Sequence, residues 1–429
     1  MSNKLNIGLL GLGTVGSGVP FILNSHKEKI QQVTGMEIQV TKALVRDESE
    51  KERQAKRFDI ALTTDYNEII NDEEIHVVVE LIGKIEPAKT YISQALEAGK
   101  HVVTANKDLL AQYGAELASL AQKNHVDLYF EAAVAGGIPI LRTIANSLAA
   151  DNIQKVLGIV NGTTNYMLTK MVAESKSYEE ALKEAQELGF AESDPTNDVD
   201  GIDAAYKMVI LSNFAFGMNV NLKDVETQGI REITTDDVEM AKKLGYELKL
   251  IGSSEKIGES IAVQVAPMLV PLTHPLHSVK NEMNAVFINS SGVGESMYYG
   301  PGAGAKPTAT SVVSDLITIA KNIRLGTTGY RFNSYNYETK LANDNEVYGK
   351  YYFAFDVPDK KGQLLLLTKI FSSTDISFEQ VIQQKTDGTT ARMVVTTHAM
   401  TKAQMKAVTE KIQEVPEFHL LNTFKVLED

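Results

Sequence analysis

A glycine pattern near the start of the chain constrains the fold more than any other feature of the sequence. The apolar run at 4–10 is followed at once by the motif GLGTVG (11–16), and a helical pattern then continues to about Thr34. Between a strand and a helix, such glycines allow a tight turn and a close approach of pyrophosphate, and the helix N-terminus faces the negative charge. The alternative is a glycine-rich turn that binds no ligand. The residues expected at the cofactor are Gly11, Gly13, Thr14, Val15 and Gly16.

The second predicted strand, at 38–45, indicates which dinucleotide is preferred. Arg46 stands at its carboxyl end, where an arginine neutralises the extra phosphate of NADP and an acid accepts the ribose hydroxyl of NAD. Glu37 lies at the wrong end of the strand for the second role, whereas Asp47 lies beside Arg46. We therefore expect NADP(H) to be preferred and NAD(H) to remain possible.

Two more segments point to the same cofactor. Predicted strands at 75–81 and 101–104 continue the parallel sheet, and the TANK sequence after the second places Ala105 and Lys107 at the ligand-binding edge. Lys107 is expected to contact cofactor or substrate, with a solvated lysine at a helix start as the alternative. A second glycine-rich turn, which contains Gly304, opens a helix and is expected to close over the cofactor from the other side.

An acidic stretch in the middle of the chain holds the candidate catalytic residues. Five carboxylates (Glu192, Asp194, Asp198, Asp200 and Asp203) lie within a dozen residues, and an apolar helical pattern begins at Ile202. Asp203 and Lys207 are four residues apart on that helix and share a face. The alternative is an ordinary surface ion pair. A lysine on an apolar helix is rarely buried without a partner, and a charged ammonium beside carboxylates can give a proton to a developing alkoxide.

Two polar turns follow predicted strands in the centre of the chain. Glu131 leads into a turn of small residues whose successive carbonyl oxygens suit a hard cation, although a tight turn without metal is the simpler interpretation. The sequence NGTTN (161–165) suits a polar ligand, and helix capping would also explain it.

Composition excludes several classes of function. The 429 residues contain no cysteine, which excludes disulfides and thiolate chemistry and suits the cytoplasm. A formal charge of −13 argues against a nucleic-acid partner. No apolar run approaches the ~20 residues that span a bilayer, and no signal-peptide layout is present, so we expect no membrane partner.

The last eighty residues predict a separate module. The order of predicted elements between 349 and 429 is β-α-β-β-α-β, which is typical of the ferredoxin-like ACT domain. We expect it to bind a small effector between two copies, with a purely dimerising module as the alternative.

Taken together, these segments resemble one family, homoserine dehydrogenase in its single-activity, long bacterial form. The most specific match is G-F-A-E-S-D-P-x-x-D-V-x-G-x-D-A-A-x-K at 189–207, and the resemblance covers essentially the whole chain. It implies the reversible, NAD(P)H-dependent reduction of L-aspartate 4-semialdehyde to L-homoserine, on the route to threonine, methionine and isoleucine. The supporting motifs are GLGTVGSG, TANK, EAAVAGGIPI, VNGTTNY and GPGAGAKPT.

The resemblance also implies roles for single residues. Lys207 is expected to be the general acid, with Asp203 as its partner and a substrate contact. Glu192 is expected to bind the substrate ammonium, and Lys107 to contact cofactor and substrate, whereas Gly304 is expected beside the nicotinamide. A sodium ion is expected on one carboxylate and three backbone carbonyls, from Glu131, Val134, Gly136 and Ile138.

The expected fold class is α/β. An N-terminal Rossmann-type domain (1–135, completed by a helix near 305–322) precedes an α+β catalytic and dimerisation domain (136–325), a linker (326–348) and the ACT domain (349–429). We expect a homodimer or homotetramer. Two rivals remain: a dehydrogenase of the same architecture with another substrate, and a dinucleotide-binding regulatory protein with a vestigial site.

Overall fold

The structure is a computed structural model that describes residues 3–386 and 388–428. The helices are α1 (Thr14–Ser25), α2 (Lys27–Thr34), α3 (Glu52–Phe58), α4 (Asn67–Ile70), α5 (Ala88–Glu97), α6 (Lys107–Lys123), α7 (Ile140–Arg142), α8 (Gly162–Glu174), α9 (Tyr178–Glu187), α10 (Thr196–Val199), α11 (Ile202–Phe216), α12 (Thr235–Lys243), α13 (Ala305–Leu325), α14 (Gln363–Ser372) and α15 (Lys402–Gln413).

The strands are β1 (Lys4–Leu10), β2 (Glu37–Leu44), β3 (Ala61–Thr63), β4 (Val77–Glu80), β5 (His101–Thr104), β6 (Leu128–Tyr129), β7 (Ile153–Ile159), β8 (Glu226–Thr227), β9 (Tyr246–Ile257), β10 (Ser260–Pro271), β11 (Met283–Ser290), β12 (Gly294–Pro301), β13 (Tyr348–Pro358), β14 (Phe378–Lys385), β15 (Thr390–Thr397), β16 (Met400–Thr401) and β17 (His419–Val426). The chain divides into two compact units. The first comprises Met1–Ile153, Tyr206–Asp224 and Asn284–Glu338, and the second comprises Gln154–Ala205, Val225–Met283 and Thr339–Asp429.

The first unit contains a parallel sheet in the order β3-β2-β1-β4-β5-β6, which is the Rossmann order. Successive side chains of a strand point to opposite faces. Val77 and Val79 therefore join the core that α1 and α13 cover, whereas Val78 joins the core under α5 and α6. Both faces are buried, and the glycine motif follows the central strand β1.

In the second unit, the strands β7, β9, β10, β17, β13, β15 and β14 lie side by side in that order. β9 and β10 form a long antiparallel hairpin. The C-terminal elements follow the predicted β-α-β-β-α-β order, and their sheet order β17-β13-β15-β14 is ferredoxin-like. β17 also pairs with β10 in parallel, at Met268↔Lys425 and Leu269↔Val426. β17 therefore pairs with β13 on one side and with β10 on the other.

Several predicted elements have different bounds in the structure. The helical run to Thr34 is broken at His26, where the backbone (φ −119°, ψ 21°) leaves the helical region between α1 and α2. The strand predicted at 75–81 is shorter, Val77–Glu80, and β6 ends at Tyr129 before a 3-10 helix over residues 131–133. Helix α7 begins at Ile140 and continues as a π-helical turn over 143–147.

The glycine motif yields a stability prediction. A Cβ on Gly16 would lie 2.0 Å from the carbonyl oxygen of Gly11, whereas a Cβ on Gly13 would meet nothing within 4 Å. We expect Gly16→Ala to lower the free energy of unfolding by ~1–3 kcal/mol, as overpacking does, and Gly13→Ala to leave it nearly unchanged. Thermal and urea unfolding of both variants measure this. Equal losses in the two variants would contradict the packing argument.

Candidate active site

The turn after β1 offers room and hydrogen-bond donors for an anion. Gly11 has a φ of +97°, which favours glycine, and its N–H donates to the carbonyl of Leu44 at 3.0 Å. Helix α1 begins after Gly13 with no capping side chain and no acidic residue in its first turn. Its N-terminal amides therefore remain available, and the open space over Gly13 gives access to them. This geometry fits the pyrophosphate of a dinucleotide.

The second glycine-rich turn lies against the first within the same unit. Gly304 (φ +114°) precedes α13, which also begins without a capping side chain. The backbone at Gly18 packs so closely on α13 that a Cβ there would lie 2.8 Å from the Cβ of Ala309. A small cavity beside this contact is lined by residues of both turns and by two cations, Arg57 and Lys306. The structure thus brings Thr14 and the start of α13 together.

A buried carboxylate that sequence reasoning missed organises the turn before Lys107. Glu80 is fully buried at the end of β4, where it accepts the hydroxyl of Thr104 (2.6 Å) and the N–H groups of Ile82 and Gly83 (2.8 and 3.0 Å). Asn106 then caps α6 through the N–H of Leu109. A Val-Val-Val-Glu sequence looks like a plain buried strand, so only the tertiary structure reveals this role.

Lys107 is the first residue of α6, and its side chain lies 3.6 Å from the carboxylate of Asp108. Ala105 precedes it and accepts the N–H of Lys107 at 3.1 Å. Arg46 is exposed just after β2. All three residues belong to the first unit, with the glycine motif and Gly304.

The expected cation loop is tightly constrained in the structure. Both carboxylate oxygens of Glu131 accept backbone N–H groups at the start of α7, from Leu141 and Arg142 at 2.8 Å each. Burial raises the pKa of Glu131, and the guanidinium of Arg142 opposes that rise. Asp315 is fully buried and pairs with Arg142; burial raises the pKa of Asp315 to about 8. The side chain of Glu131 is thus already engaged, and the backbone carbonyls are the main donors left for a cation.

The carbonyls of the loop are also partly engaged. The oxygen of Gly136 accepts the hydroxyl of Ser311 at 2.6 Å, and that of Ile138 accepts the N–H of Ile140 at 2.8 Å. A carbonyl oxygen has two lone pairs, so one hydrogen bond leaves room for an ion. No group of three or more histidine and carboxylate side chains among residues 3–386 and 388–428 could hold a metal ion. A cation site on this loop would therefore depend mainly on backbone oxygen atoms.

The cation loop packs on the turn that contains Gly304. The N–H of Gly137 donates to the carbonyl of Pro301 at 3.0 Å, and a Cβ on Gly136 would lie 2.3 Å from the carbonyl oxygen of Gly302. On its other side, Gly302 lies against the buried amide of Asn284, whose Oδ1 has no hydrogen-bond partner among the described residues. Sequence reasoning did not single out Asn284, which lies in an ordinary strand pattern.

The second unit contains the acidic loop, which we define as residues 189–203. Its carboxylates have different surroundings. Asp200 pairs with Arg231, and hydrogen bonds from the side chain and then the backbone N–H of Thr196 lower the pKa of Asp194. Glu192 is exposed. Asp200 is therefore a salt-bridge partner, Asp194 is a turn residue, and Glu192 is an accessible charge.

The other two carboxylates share one amide. The side-chain NH₂ of Asn161 donates to Asp198 at 2.7 Å and to Asp203 at 2.9 Å. The amide oxygen of Asn161 accepts the N–H of Thr164 at 2.9 Å and so caps α8. The polar-ligand and helix-capping interpretations of this motif are thus compatible, because capping fixes the amide that orients the two carboxylates.

Helix α11 presents Asp203 and Lys207 one turn apart. Each is only 9% exposed, so both charged groups are held away from water. The boundary between the two units falls within this helix. Lys207 belongs to the first unit, with the expected cofactor residues, and Asp203 to the second, with Glu192. In the described part of the chain, no helix is both long and apolar enough to cross a membrane.

The family models and the relatives that match this chain all carry the same family description. The model described as "Homoserine dehydrogenase, NAD binding domain" matches residues 11–131, and the model "Homoserine dehydrogenase" matches residues 139–317. A homoserine dehydrogenase of Lactococcus lactis is 53% identical over 99% of this chain and 100% of its own length. The Bacillus subtilis enzyme is 48% identical over 96% of this chain and 95% of its own.

Solved structures give the same result. A homoserine dehydrogenase from Thiobacillus denitrificans superposes with a TM-score of 0.94 at 36% identity, covering 99% of this chain and 98% of its own. A hyperthermophilic archaeal homoserine dehydrogenase in complex with NADPH superposes with a TM-score of 0.63 at 30% identity, covering 74% of this chain and 97% of its own.

Proposed function

The chain belongs to the homoserine dehydrogenase family, and from that premise we propose which of its residues perform the chemistry. The activity is that of an NAD(P)-dependent oxidoreductase acting on a CH–OH group. This assignment disfavours the rival interpretation as a regulatory protein with a vestigial site.

Lys207 is proposed to hold and protonate the oxygen of the reacting carbonyl. The observation that carries this proposal is the burial of an ammonium group one helical turn from a buried carboxylate. The bound nicotinamide cofactor supplies the hydride in one direction and accepts it in the other. As negative charge grows on the carbonyl oxygen, a positioned ammonium stabilises it and gives up a proton, and Asp203 places an opposite charge one helical turn from that ammonium.

The acidic loop is proposed to bind the amino-acid end of the substrate. Glu192 is exposed and can meet the substrate ammonium, whereas Asp203 is fixed by the amide of Asn161 at 2.9 Å. Two fixed points on the substrate restrict its orientation, and such positioning can supply several kcal/mol of the barrier reduction. Lys107 is proposed to contact both the cofactor and the substrate.

Replacement of Lys207 tests the proton donor. We expect Lys207→Met to lower kcat at least ~100-fold, because the developing alkoxide loses its acid, while the dissociation constant of the dinucleotide stays nearly constant. Steady-state oxidation of homoserine and fluorescence titration of NADPH measure the two quantities. The control is Lys183→Met, on the exposed face of α9. Near-normal turnover in Lys207→Met would remove the proposed donor.

NADP(H) is proposed as the preferred dinucleotide, with NAD(H) as a second substrate. The exposed position of Arg46 just after β2 supports this proposal, because the ribose of a dinucleotide bound to a Rossmann fold lies near the end of the second strand. The solved relative with bound NADPH supports the same preference. The glycine motif, Ala105 and Gly304 are proposed to surround the rest of the cofactor.

Replacement of Arg46 tests this preference. We expect Arg46→Ala to raise the KM for NADP at least ~10-fold and to leave the KM for NAD unchanged, because a charge-assisted contact to phosphate is lost. Initial rates with each dinucleotide measure both constants, and Lys29→Ala, exposed on α2, is the matched control. A strong preference of the unaltered protein for NAD would contradict the assignment.

A sodium ion is proposed on the loop that contains Glu131, Val134, Gly136 and Ile138. The oxygen-only donor set supports it, since hard monovalent ions prefer carbonyl and carboxylate oxygen. When bound, the ion would stiffen the turn beside Gly304.

Melting experiments test the ion. An ion that binds the native state alone stabilises it by mass action, so the melting temperature should rise with NaCl above the value in choline chloride of equal ionic strength. Activity should likewise be higher in NaCl than in choline chloride of equal ionic strength. Identical melting curves in both salts would exclude a specific sodium site.

The regulatory and assembly predictions remain proposals of the same kind. We propose that the C-terminal module is an ACT domain that responds to threonine, and that the protein forms a homodimer or homotetramer. The boundaries at 135, 325 and 348 and the cytoplasmic location also stay predictions.

A further inference from the structure

A fully buried lysine in the second unit has no part in the chemistry proposed above. Lys249 lies on β9, and none of its side chain is exposed. Three oxygen atoms surround its ammonium: Oε1 of Glu247 at 3.0 Å, Oδ1 of Asn165 at 3.1 Å and the carbonyl oxygen of Val279 at 2.7 Å. An ammonium has three hydrogens to donate and accepts none, so these three oxygens satisfy it.

The burial of this charge is costly. It lowers the pKa of Lys249 to about 8, and the carboxylate of Glu247 opposes that fall. Glu247 is itself only 4% exposed, and its second oxygen contacts Lys280 and, at 3.1 Å, His277. A buried ion pair often adds little net stability, because desolvation offsets the attraction between the charges. Stability alone therefore explains the presence of Lys249 poorly.

The contact with Lys249 fixes the amide of Asn165 in one orientation. The amide oxygen accepts from the ammonium of Lys249, which can only donate. The amide NH₂ donates to the carbonyls of Asn281 at 2.8 Å and Met283 at 3.1 Å, which can only accept. An exchange of the amide oxygen and nitrogen would lose all three hydrogen bonds. The side chain of Asn165 thus joins α8 to β9 and to the segment before β11.

Thr169 adds a second attachment one turn further along α8. Its hydroxyl donates to the backbone carbonyl of Asn165 at 2.7 Å and accepts the N–H of Asn281 at 3.0 Å. The ammonium of Lys249 donates to the carbonyl of Val279 in the same segment. The first two turns of α8 are therefore attached to the segment 279–283, and Lys249 donates to both sides of this contact.

The first turn of α8 also begins at the amide of the acidic loop. The N–H of Asn165 donates to the carbonyl of Asn161 at 3.3 Å. The side-chain amide of Asn161 donates to Asp198 and Asp203. A displacement of this helical turn would therefore move the amide that contacts both carboxylates. All of these residues, and Lys249 with them, belong to the second unit.

We propose that Lys249 is a positioning residue for the reaction: it fixes the first turn of α8 through Asn165, and thereby the amide of Asn161 that orients Asp203. The inference rests on the proposed role of Asp203 as a substrate contact. It gives Lys249 no contact with substrate or cofactor. Lys249 instead holds the acidic loop in the geometry that binds the amino-acid end of the substrate.

Replacement of Lys249 in the full chain tests the inference. We expect Lys249→Met to raise the KM for homoserine at least ~5-fold, because a displaced Asp203 no longer meets the substrate in the right place. The KM for NADP should change less than ~2-fold, and kcat should fall by less than the KM for homoserine rises. Initial rates of homoserine oxidation measure all three constants. An unchanged KM for homoserine overturns the inference.

A second buried lysine provides the matched control. Lys100 is 6% exposed, and its ammonium donates to the carbonyls of Asp72 and Ile75 at 2.7 Å each. It lies in the first unit just before β5, whereas ligands bind at the carboxyl ends of such strands. Lys100→Met should therefore keep the KM for homoserine of the unaltered protein. An equal rise in Lys100→Met and Lys249→Met would overturn the inference, because loss of any buried ammonium would then suffice.

A double variant separates positioning from stability. Lys249→Met deprives the buried carboxylate of Glu247 of one partner and so lowers the melting temperature. Glu247→Met combined with Lys249→Met removes both charges, and the double variant should melt above the single one. Its KM for homoserine should nevertheless stay raised, because Asn165 still lacks its donor. A KM that returns to the unaltered value in the double variant would attribute the effect to the unpaired charge and overturn the inference.

A double-mutant cycle tests the route through Asn165. Asn165→Leu removes the amide that accepts from Lys249, so Lys249→Met should have no further effect on the KM for homoserine in that background. Two independent effects, whose factors multiply in the double variant, would overturn the proposed route.

Hydrogen exchange followed by mass spectrometry gives a readout that does not depend on activity. In Lys249→Met, the amides of residues 161–166 and 196–203 should exchange faster than in the unaltered protein, whereas those of residues 11–16 should not. Unchanged exchange in the first two segments overturns the attachment itself. Faster exchange with an unchanged KM for homoserine would instead refute the proposed role of Asp203 as a substrate contact, so the two failures are distinguishable.

Discussion

The hydrogen bonds of one amide group, on Asn161, control the geometry of the acidic loop. Two carboxylates that approach the same point repel each other, and Asp203 is largely buried. The amide donates one hydrogen to each carboxylate, and its oxygen is held by the first turn of α8. The orientation of this group is therefore determined at both ends. The amide of Asn161 thus links Asp198 of the loop to Asp203 on the helix that contains Lys207.

Close backbone packing has the same effect in the first unit. The turns that contain Gly136 and Gly302 approach so closely that a side chain would not fit, and Gly18 lets α1 lie directly on α13. As a result, two helix N-termini without capping groups are rigidly held in the same unit. Preorganised donors of this kind need no rearrangement when an anion arrives, which is why glycine, rather than a charged residue, dominates these turns.

Local patterns predicted those parts of the structure that depend on nearby residues. The strand-glycine-helix start, the helix at Ile202 and the C-terminal βαββαβ order are visible in the sequence because periodicity and turn residues are local. The long β9–β10 hairpin was missed. Glu80 looked like a plain strand residue, although it accepts two N–H groups from the turn after β4 and the hydroxyl of Thr104 at the end of β5. The pairing of Asp200 with Arg231 was equally hidden, because it joins residues distant in the chain.

The pairing of β17 with both β13 and β10 has a consequence for synthesis on the ribosome. β17 leaves the exit tunnel after every other described strand, so the hairpin of β9 and β10 forms while part of the outer edge of β10 still lacks a neighbour. Open strand edges attract other chains. The nascent polypeptide is thus exposed to misassembly until β17 emerges, and termination before β17 would leave that edge open permanently.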